Sequence, residues 1–217
     1  MQLLAKTEPE NLPTPRFVYF DLGMVMVTFS VQRMCQQMGE VSGLEPARVG
    51  EILFQQPFQL DYEKGLITTR QYYEEFCRLS GTRPDYDALL WAVIDIFELN
   101  FPMLPVVTQL RQAGYRLGVL SNTCEVHWLH CYRRFRFLRE AFEVYALSYQ
   151  LHAVKPDAAI FAAAAGLAGV APEEMFFVDD IAKHVAGAKA VGVDAVQFTS
   201  AADLVSELRK RGVKFNY

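Results

Sequence analysis

The sequence predicts an α/β protein: a doubly wound parallel sheet with a small all-helical segment inserted early in the chain. Three observations carry that expectation. Short apolar runs of strand length recur at Phe17–Phe20, Leu117–Leu120 and Met175–Val178, and each stops abruptly at small polar or acidic residues. From Pro102 onward such runs alternate with stretches of helical periodicity, the pattern of a parallel sheet wound by crossover helices. Between Val27 and about Asn100, by contrast, no stretch reads as a parallel strand and helical spacing dominates.

Taken in order, Met1–Pro15 is polar, carries three prolines and lacks the apolar centre of a signal peptide, so it reads as a loose tail or lead-in strand. Phe17–Phe20 is a buried strand that delivers Asp21. An ionised carboxylate is costly inside such a run unless paired or metal-bound. Asp21 is therefore placed where the strand emerges, at the crevice where open parallel sheets bind ligands.

The insert, residues 29–99, divides a core made of 1–28 and 100–217. Val31–Met38 is helical, and Pro46 opens a second helix with Val49, Ile52 and Leu53 at helical spacing. Asp61–Gly65 reads as a turn with glycine at its end. Thr68 or Thr69 caps a helix through Tyr72, Tyr73, Phe76 and Leu79, and Pro84-Asp85 opens a last one running through Leu89, Val93 and on to Phe97.

In the second half, a helix through Leu104, Val107 and Leu110 closes at Gly114. The strand Arg116–Leu120 ends in Ser121-Asn122-Thr123, before a helix from about Glu125 to Phe135. A strand near Phe142–Leu147 precedes the loop of Lys155-Pro156 and a helix over Asp157–Leu167. Met175–Val178 runs into Asp179-Asp180, and then come a helix Ala182–Val191, a strand Val193–Phe198 and a helix Asp203–Arg211.

A chain of 217 residues, 52% hydrophobic and 21% charged, is long and apolar enough for one substantial core with an insertion. A net charge of −4 and the lack of a basic tract argue against nucleic acid as a partner. Arg133, Arg134, Arg136 and Arg139 cluster at the spacing of a solvated helix face. Cys35, Cys77, Cys124 and Cys131 show no metal-ligand spacing and read as reduced thiols of a cytoplasmic protein. No apolar run approaches the ~18 residues of a membrane span.

Three strand ends carrying Asp21, Ser121-Asn122-Thr123 and Asp179-Asp180 would meet at one edge of a parallel sheet, with Lys155 in a nearby loop. Taken singly, Ser121 would be a helix cap, Lys155 a surface lysine and Asp179-Asp180 an acidic pair complementing a helix dipole. Meeting at one edge, they read as a site.

With these residues in place the chain resembles the haloacid dehalogenase superfamily, and within it the glucose-1-phosphatase type of phosphatase. The superfamily's four motifs are matched in order by Asp21, Ser121, Lys155 and Asp179-Asp180, across residues from about 16 to 200. The resemblance implies a Rossmann-like core, a helical cap formed by 29–99 that carries selectivity, and a small phosphorylated metabolite as substrate, with a sugar phosphate among the candidates. Asp21 would be the nucleophile, forming an aspartyl-phosphate. Repulsion between carboxylate and phosphate calls for Mg²⁺, held by Asp21, Asp180 and the Gly23 carbonyl, with Asp179 behind them or as an alternative ligand. Lys155 would stabilise developing charge, and Ser121 with the Asn122 N–H would hold phosphate oxygens at the start of the following helix.

One position departs from the pattern. Most phosphatases of the superfamily carry a general acid/base Asp two residues after the nucleophile, and here that place is Gly23, followed by Met24. Losing an acid/base forfeits roughly 10²–10⁴ in rate where the leaving group needs a proton. Activity would then be slow, limited to good leaving groups, or assisted by a residue of the cap, and His127 on the helix after Ser121 is a further candidate. Gly23 also keeps two alternatives open: a 2-haloacid dehalogenase, in which Asp21 attacks carbon, and a binding protein without turnover. Tyr62, Tyr72, Tyr73 and Trp91 are candidates for lining the cap side of the site, or for its core.

Overall fold

The computed structural model describes residues 13–216, so most of the expected tail lies outside the described residues. The strands are β1 (Phe17–Phe20), β2 (Val27–Phe29), β3 (Phe97–Leu99), β4 (Arg116–Ser121), β5 (Val144–Leu147), β6 (Met175–Asp179) and β7 (Asp194–Gln197). Five of them form a sheet in the order β5-β4-β1-β6-β7, with every pairing parallel. β1 is the central strand and is buried along its whole length.

Its side chains alternate between the two faces, as the pleat requires. Val18 and Phe20 enter one apolar cluster, whereas Phe17 and Tyr19 enter the other, where the Tyr19 hydroxyl donates to the Ala164 carbonyl at 2.8 Å.

The helices of the insert are α1 (Val31–Ser42), α2 (Pro46–Phe54), α3 (Phe58–Glu63), α4 (Thr69–Ser80) and α5 (Tyr86–Ile94). Those of the core are α6 (Met103–Gln112), α7 (Glu125–Arg134), α8 (Arg136–Ala141), α9 (Ser148–Leu151), α10 (Ala158–Ala168), α11 (Ala182–Ala190) and α12 (Ala201–Lys210). α10 and α11 cover one face of the sheet through Ile160, Phe161, Val185 and Ala188. α6 and α12 cover the other through Val106, Leu110, Leu204 and Leu208. The fold is thus the expected doubly wound α/β sheet.

Local sequence sets the insert's helices. Ser30 caps α1 by accepting from the Arg33 N–H, Thr68 and Gln71 form a reciprocal capping box on α4, and Asp85 accepts from the Ala88 N–H at the start of α5. Met34, Leu53, Phe76 and Leu89 of the insert share one buried cluster with Phe20 and Met26 of the core.

Two expectations are corrected. Asp61–Glu63 is the last turn of α3 rather than a free turn, because Phe58 and Tyr62 lie one helical turn apart and both pack on Tyr72. The helix expected to reach Phe97 stops at Ile94, and Phe97–Leu99 pairs antiparallel with Val27–Phe29. A two-stranded ribbon therefore closes the base of the helical insert.

Candidate active site

Parallel register brings the strand ends level. Phe20 pairs with Val119 on one side and Val178 on the other, so Asp21 follows at the height of Leu120 and Asp179. The Asp21 N–H donates to the Val178 carbonyl at 2.8 Å, and its own Oδ1 accepts from the Leu22 N–H at 2.7 Å. These bonds fix the carboxylate at the mouth of the sheet.

Lys155 occupies the centre. Its buried Nζ lies 2.9 Å from Asp21 Oδ1 and 2.6 Å from Asp179 Oδ2, and donates to the Leu120 carbonyl at 3.1 Å. An ammonium has three protons, and here three acceptors take them. The ring of Phe177 lies 5.2 Å from the same nitrogen and adds a cation–π contact.

The loop holding this lysine is itself held by Asn122. The Lys155 N–H donates to Asn122 Oδ1 at 2.7 Å, and Asn122 Nδ2 donates to the Lys155 carbonyl at 3.0 Å.

The two acids of the Asp179-Asp180 pair differ in their surroundings. Asp179 Oδ2 is paired with Lys155, while Oδ1 accepts from the Ile181 N–H at 2.8 Å and from His184 Nδ1 at 3.1 Å. Burial alone would raise its carboxyl, but the His184 hydrogen bond, the Lys155 charge and the Ile181 N–H hold it below the usual carboxylate range.

Asp180 shares in neither ion pair. Burial and the Asp179 charge push its carboxyl up. Asp21 is also pushed up, to about 6, by burial foremost, with Lys155 opposing and Asp179 adding. One carboxylate oxygen from each of Asp21, Asp179 and Asp180 lies within 4.8 Å of the others. Three carboxylates against one ammonium leave an uncompensated negative excess, and hard oxygen donors at this density suit a small divalent cation such as Mg²⁺.

Gly23, Ser121, Asn122 and His127 border a cleft between core and insert, and Gln59 and Glu63 of α3 face them from the insert. Apolar walls, among them Phe29, Met34 and Phe54, complete it. Burial lowers the His127 imidazole to about 4, with His130 contributing and a Val93 backbone contact opposing, and its Nε2 is enclosed without a hydrogen-bond partner.

The structure brings Asp21, Lys155, Asp179 and Asp180 together, and Gly23, Ser121 and Asn122 border the cleft beside them. α7 begins at Glu125, where it was expected, because Ser148 Oγ takes the Thr123 N–H at 2.9 Å and the chain stays extended through Cys124, so Ser121 and Asn122 stand ahead of the helix rather than at its start.

Tyr62, Tyr72 and Tyr73 are buried within the insert, and Trp91 borders a separate surface hollow beside α7, so none of the four lines the cleft. All four cysteines are free and buried, and burial raises the Cys124 thiol to about 12, which makes it no nucleophile. The four arginines at 133, 134, 136 and 139 are exposed, as a solvated face should be. His184 and Glu63 went unread in the sequence. Neither is marked by a motif or a spacing of its own.

Fold and site together define a hydrolase of the kind that works with acidic residues at strand ends around a buried lysine. The chain belongs to the haloacid dehalogenase-like hydrolases, whose family model matches residues 30–192, a stretch that starts beyond Asp21. It is 27% identical over 165 residues to the glyceraldehyde 3-phosphate phosphatase of Methanopyrus kandleri, covering 72% of this chain and 70% of that one.

An enzyme of the family from Bacteroides thetaiotaomicron, solved with magnesium and inorganic phosphate, superposes with a TM-score of 0.77 at 24% identity, over 86% of this chain and 95% of that one. The same enzyme's magnesium complex gives 0.79 at 25% identity, over 90% and 99%. The protein is accordingly a hydrolase of this family. Among the described residues no helix is long and apolar enough to cross a membrane.

Proposed function

We propose that the protein is a Mg²⁺-dependent phosphatase of small phosphorylated metabolites, sugar phosphates among them, working in the cytoplasm through an aspartyl-phosphate on Asp21. The observation that carries this reading is Lys155 held between Asp21 and Asp179, with Asp180 completing a three-carboxylate cluster.

The donor set fits the ion: Asp21 and Asp180 offer carboxylate oxygens, and the backbone carbonyl of Gly23 offers a third hard ligand. When bound, Mg²⁺ would neutralise the substrate phosphate against the carboxylates. Asp21 attacks phosphorus, and Lys155 keeps a positive charge beside the nucleophile and the developing negative oxygens. Asp179 fixes the lysine and is itself fixed by His184 and Ile181. Ser121 and the Asn122 N–H receive phosphate oxygens, and water then cleaves the acyl phosphate.

Residues 29–99 serve as a cap that closes the cleft and selects the alcohol. A dehalogenase is disfavoured, because attack on carbon would leave Asp180 without a task. The test is hydrolysis of p-nitrophenyl phosphate with and without Mg²⁺. Turnover that needs the ion and falls on the order of 10³–10⁶-fold in Asp21→Asn is expected. Turnover unaffected by Asp21→Asn would reject the reading.

A further inference from the structure

Gly23 removes the acid from the place where the family pattern has it, and that place is crowded by the exposed Phe29 ring: a Cβ there would stand 2.9 Å from Phe29 Cε1, so the ring would have to shift. A proton for the leaving alcohol must come from elsewhere in the cleft. Its carboxylic acids and imidazoles are two, Glu63 and His127. His127 is neutral well below pH 7, so it lacks an imidazolium proton to give.

Glu63 stands at the end of α3, facing Ser121 and Asn122 across the cleft. Gln59 Nε2 donates to its Oε1 at 2.9 Å, and burial raises its carboxyl.

The segment carrying Glu63 is fastened to the core at three successive residues. Ser148 Oγ lies 2.6 Å from the Glu63 carbonyl and 2.9 Å from the Thr123 carbonyl, which share its one proton, and it accepts the Thr123 N–H at 2.9 Å. His152 Nδ1 donates to the Lys64 carbonyl at 2.9 Å. Gly65, with φ +66°, packs so closely on Tyr149 that a Cβ would come within 2.1 Å of its carbonyl oxygen. One buried serine therefore sets the distance between Glu63 and the loop of Ser121–Thr123. Such fixed placement is what proton transfer needs.

We propose that Glu63 is the proton donor to the leaving oxygen, supplied by the insert in place of the acid missing at position 23. The proposal rests on the phosphatase reading above. In the first step the Asp21 oxygen–phosphorus bond forms, the bond from phosphorus to the ester oxygen breaks, and the Glu63 proton passes to that oxygen to release the alcohol. In the second, water attacks phosphorus and the bond to Asp21 breaks, the released phosphate keeping the protons of that water, while the Glu63 carboxylate regains its proton from solvent.

The test uses two substrates on wild type, Glu63→Gln, Glu63→Asp and Asp21→Asn. p-Nitrophenyl phosphate leaves without a proton, and ethyl phosphate needs one. Glu63→Gln keeps an acceptor for Gln59 and is expected to lower kcat on ethyl phosphate by about 10²–10⁴-fold while p-nitrophenyl phosphate stays within about threefold. Glu63→Asp, which restores a carboxyl on a shorter arm, is expected to recover part of the ethyl phosphate rate. Equal losses on both substrates, or none on either, overturn the proposal and leave the phosphatase reading standing. Absence of Asp21-dependent turnover in wild type overturns both.

Discussion

The side-chain amide of Asn122 closes a two-bond ring with the backbone of Lys155, accepting its N–H at 2.7 Å and donating to its carbonyl at 3.0 Å. β4 thereby dictates where the loop after α9 delivers the ammonium, and Asn122 acts on the chemistry through Lys155 rather than by its own side chain.

Asn122→Ala removes both bonds and leaves two backbone groups of the loop without partners. A cost of about 2 kcal/mol in unfolding free energy is expected, with kcat falling about 10²-fold because an ammonium displaced by 1 Å no longer meets the reacting phosphate. Asn122→Asp keeps the acceptor and loses the donor, so it should fall between. Urea unfolding and p-nitrophenyl phosphate turnover of both variants measure this, and wild-type kcat in Asn122→Ala would refute it.

The unequal surroundings of Asp179 and Asp180 separate their variants. On the proposed reading Mg²⁺ would bind the folded cluster only, so at a hundredfold excess over its Kd it should stabilise by about 2.7 kcal/mol and raise Tm by roughly 5–10 °C. Asp180→Asn should abolish that shift and leave the metal-free Tm nearly unchanged. Asp179→Asn should lower the metal-free protein by about 3–5 kcal/mol, since it breaks a buried pair with Lys155. A Mg²⁺ shift that survives Asp180→Asn would place the ion elsewhere.

How much of this was readable in the chain follows from how each part is encoded. Strands buried on both faces are contiguous apolar runs, so where Phe17–Phe20 and Met175–Val178 stop is visible, and register then carries Asp21 and Asp179 to one height. The ribbon of Val27–Phe29 and Phe97–Leu99 was illegible because each strand has three residues and its partner lies a whole insert away.

Asp61–Glu63 looked like a turn because its composition is polar, and packing of Phe58 and Tyr62 on Tyr72 overrode that local preference. Glu63 and His184 are single residues on helices with no spacing that marks them. Glu63 becomes conspicuous only through Ser148, and His184 through its contact with Asp179.

Gly23 and Phe29 are coupled by the 2.9 Å approach a Cβ would make. Gly23→Asp alone, meant to restore the acid, should therefore fail to speed ethyl phosphate hydrolysis, because the new side chain must displace the Phe29 ring. In the Glu63→Gln background, which lacks the proposed donor, Gly23→Asp combined with Phe29→Ala has room, and a gain of about tenfold or more over either change alone is expected. Rates for the two single variants and the double variant form the cycle. Additive effects would show that Phe29 does not close the site.

His127 makes the fold sensitive to acid. Its ordinary value is about 6.5 and burial holds it at about 4, so the unfolded chain binds the proton more readily. The stabilising contribution is complete above pH 6.5 and is lost as the pH falls toward 4, to at most about 3 kcal/mol. Asp21, raised to about 6, works in the opposite direction: its native carboxyl holds a proton that the unfolded one has released, so it favours the fold as the pH falls from 6 toward 4.

His127→Phe keeps an aromatic ring against Phe97 and removes only the first contribution. Unfolding free energies of wild type and His127→Phe should diverge between pH 6.5 and pH 4, with the variant losing less. Parallel curves across that interval would mean that His127 titrates alike in the folded and unfolded chains.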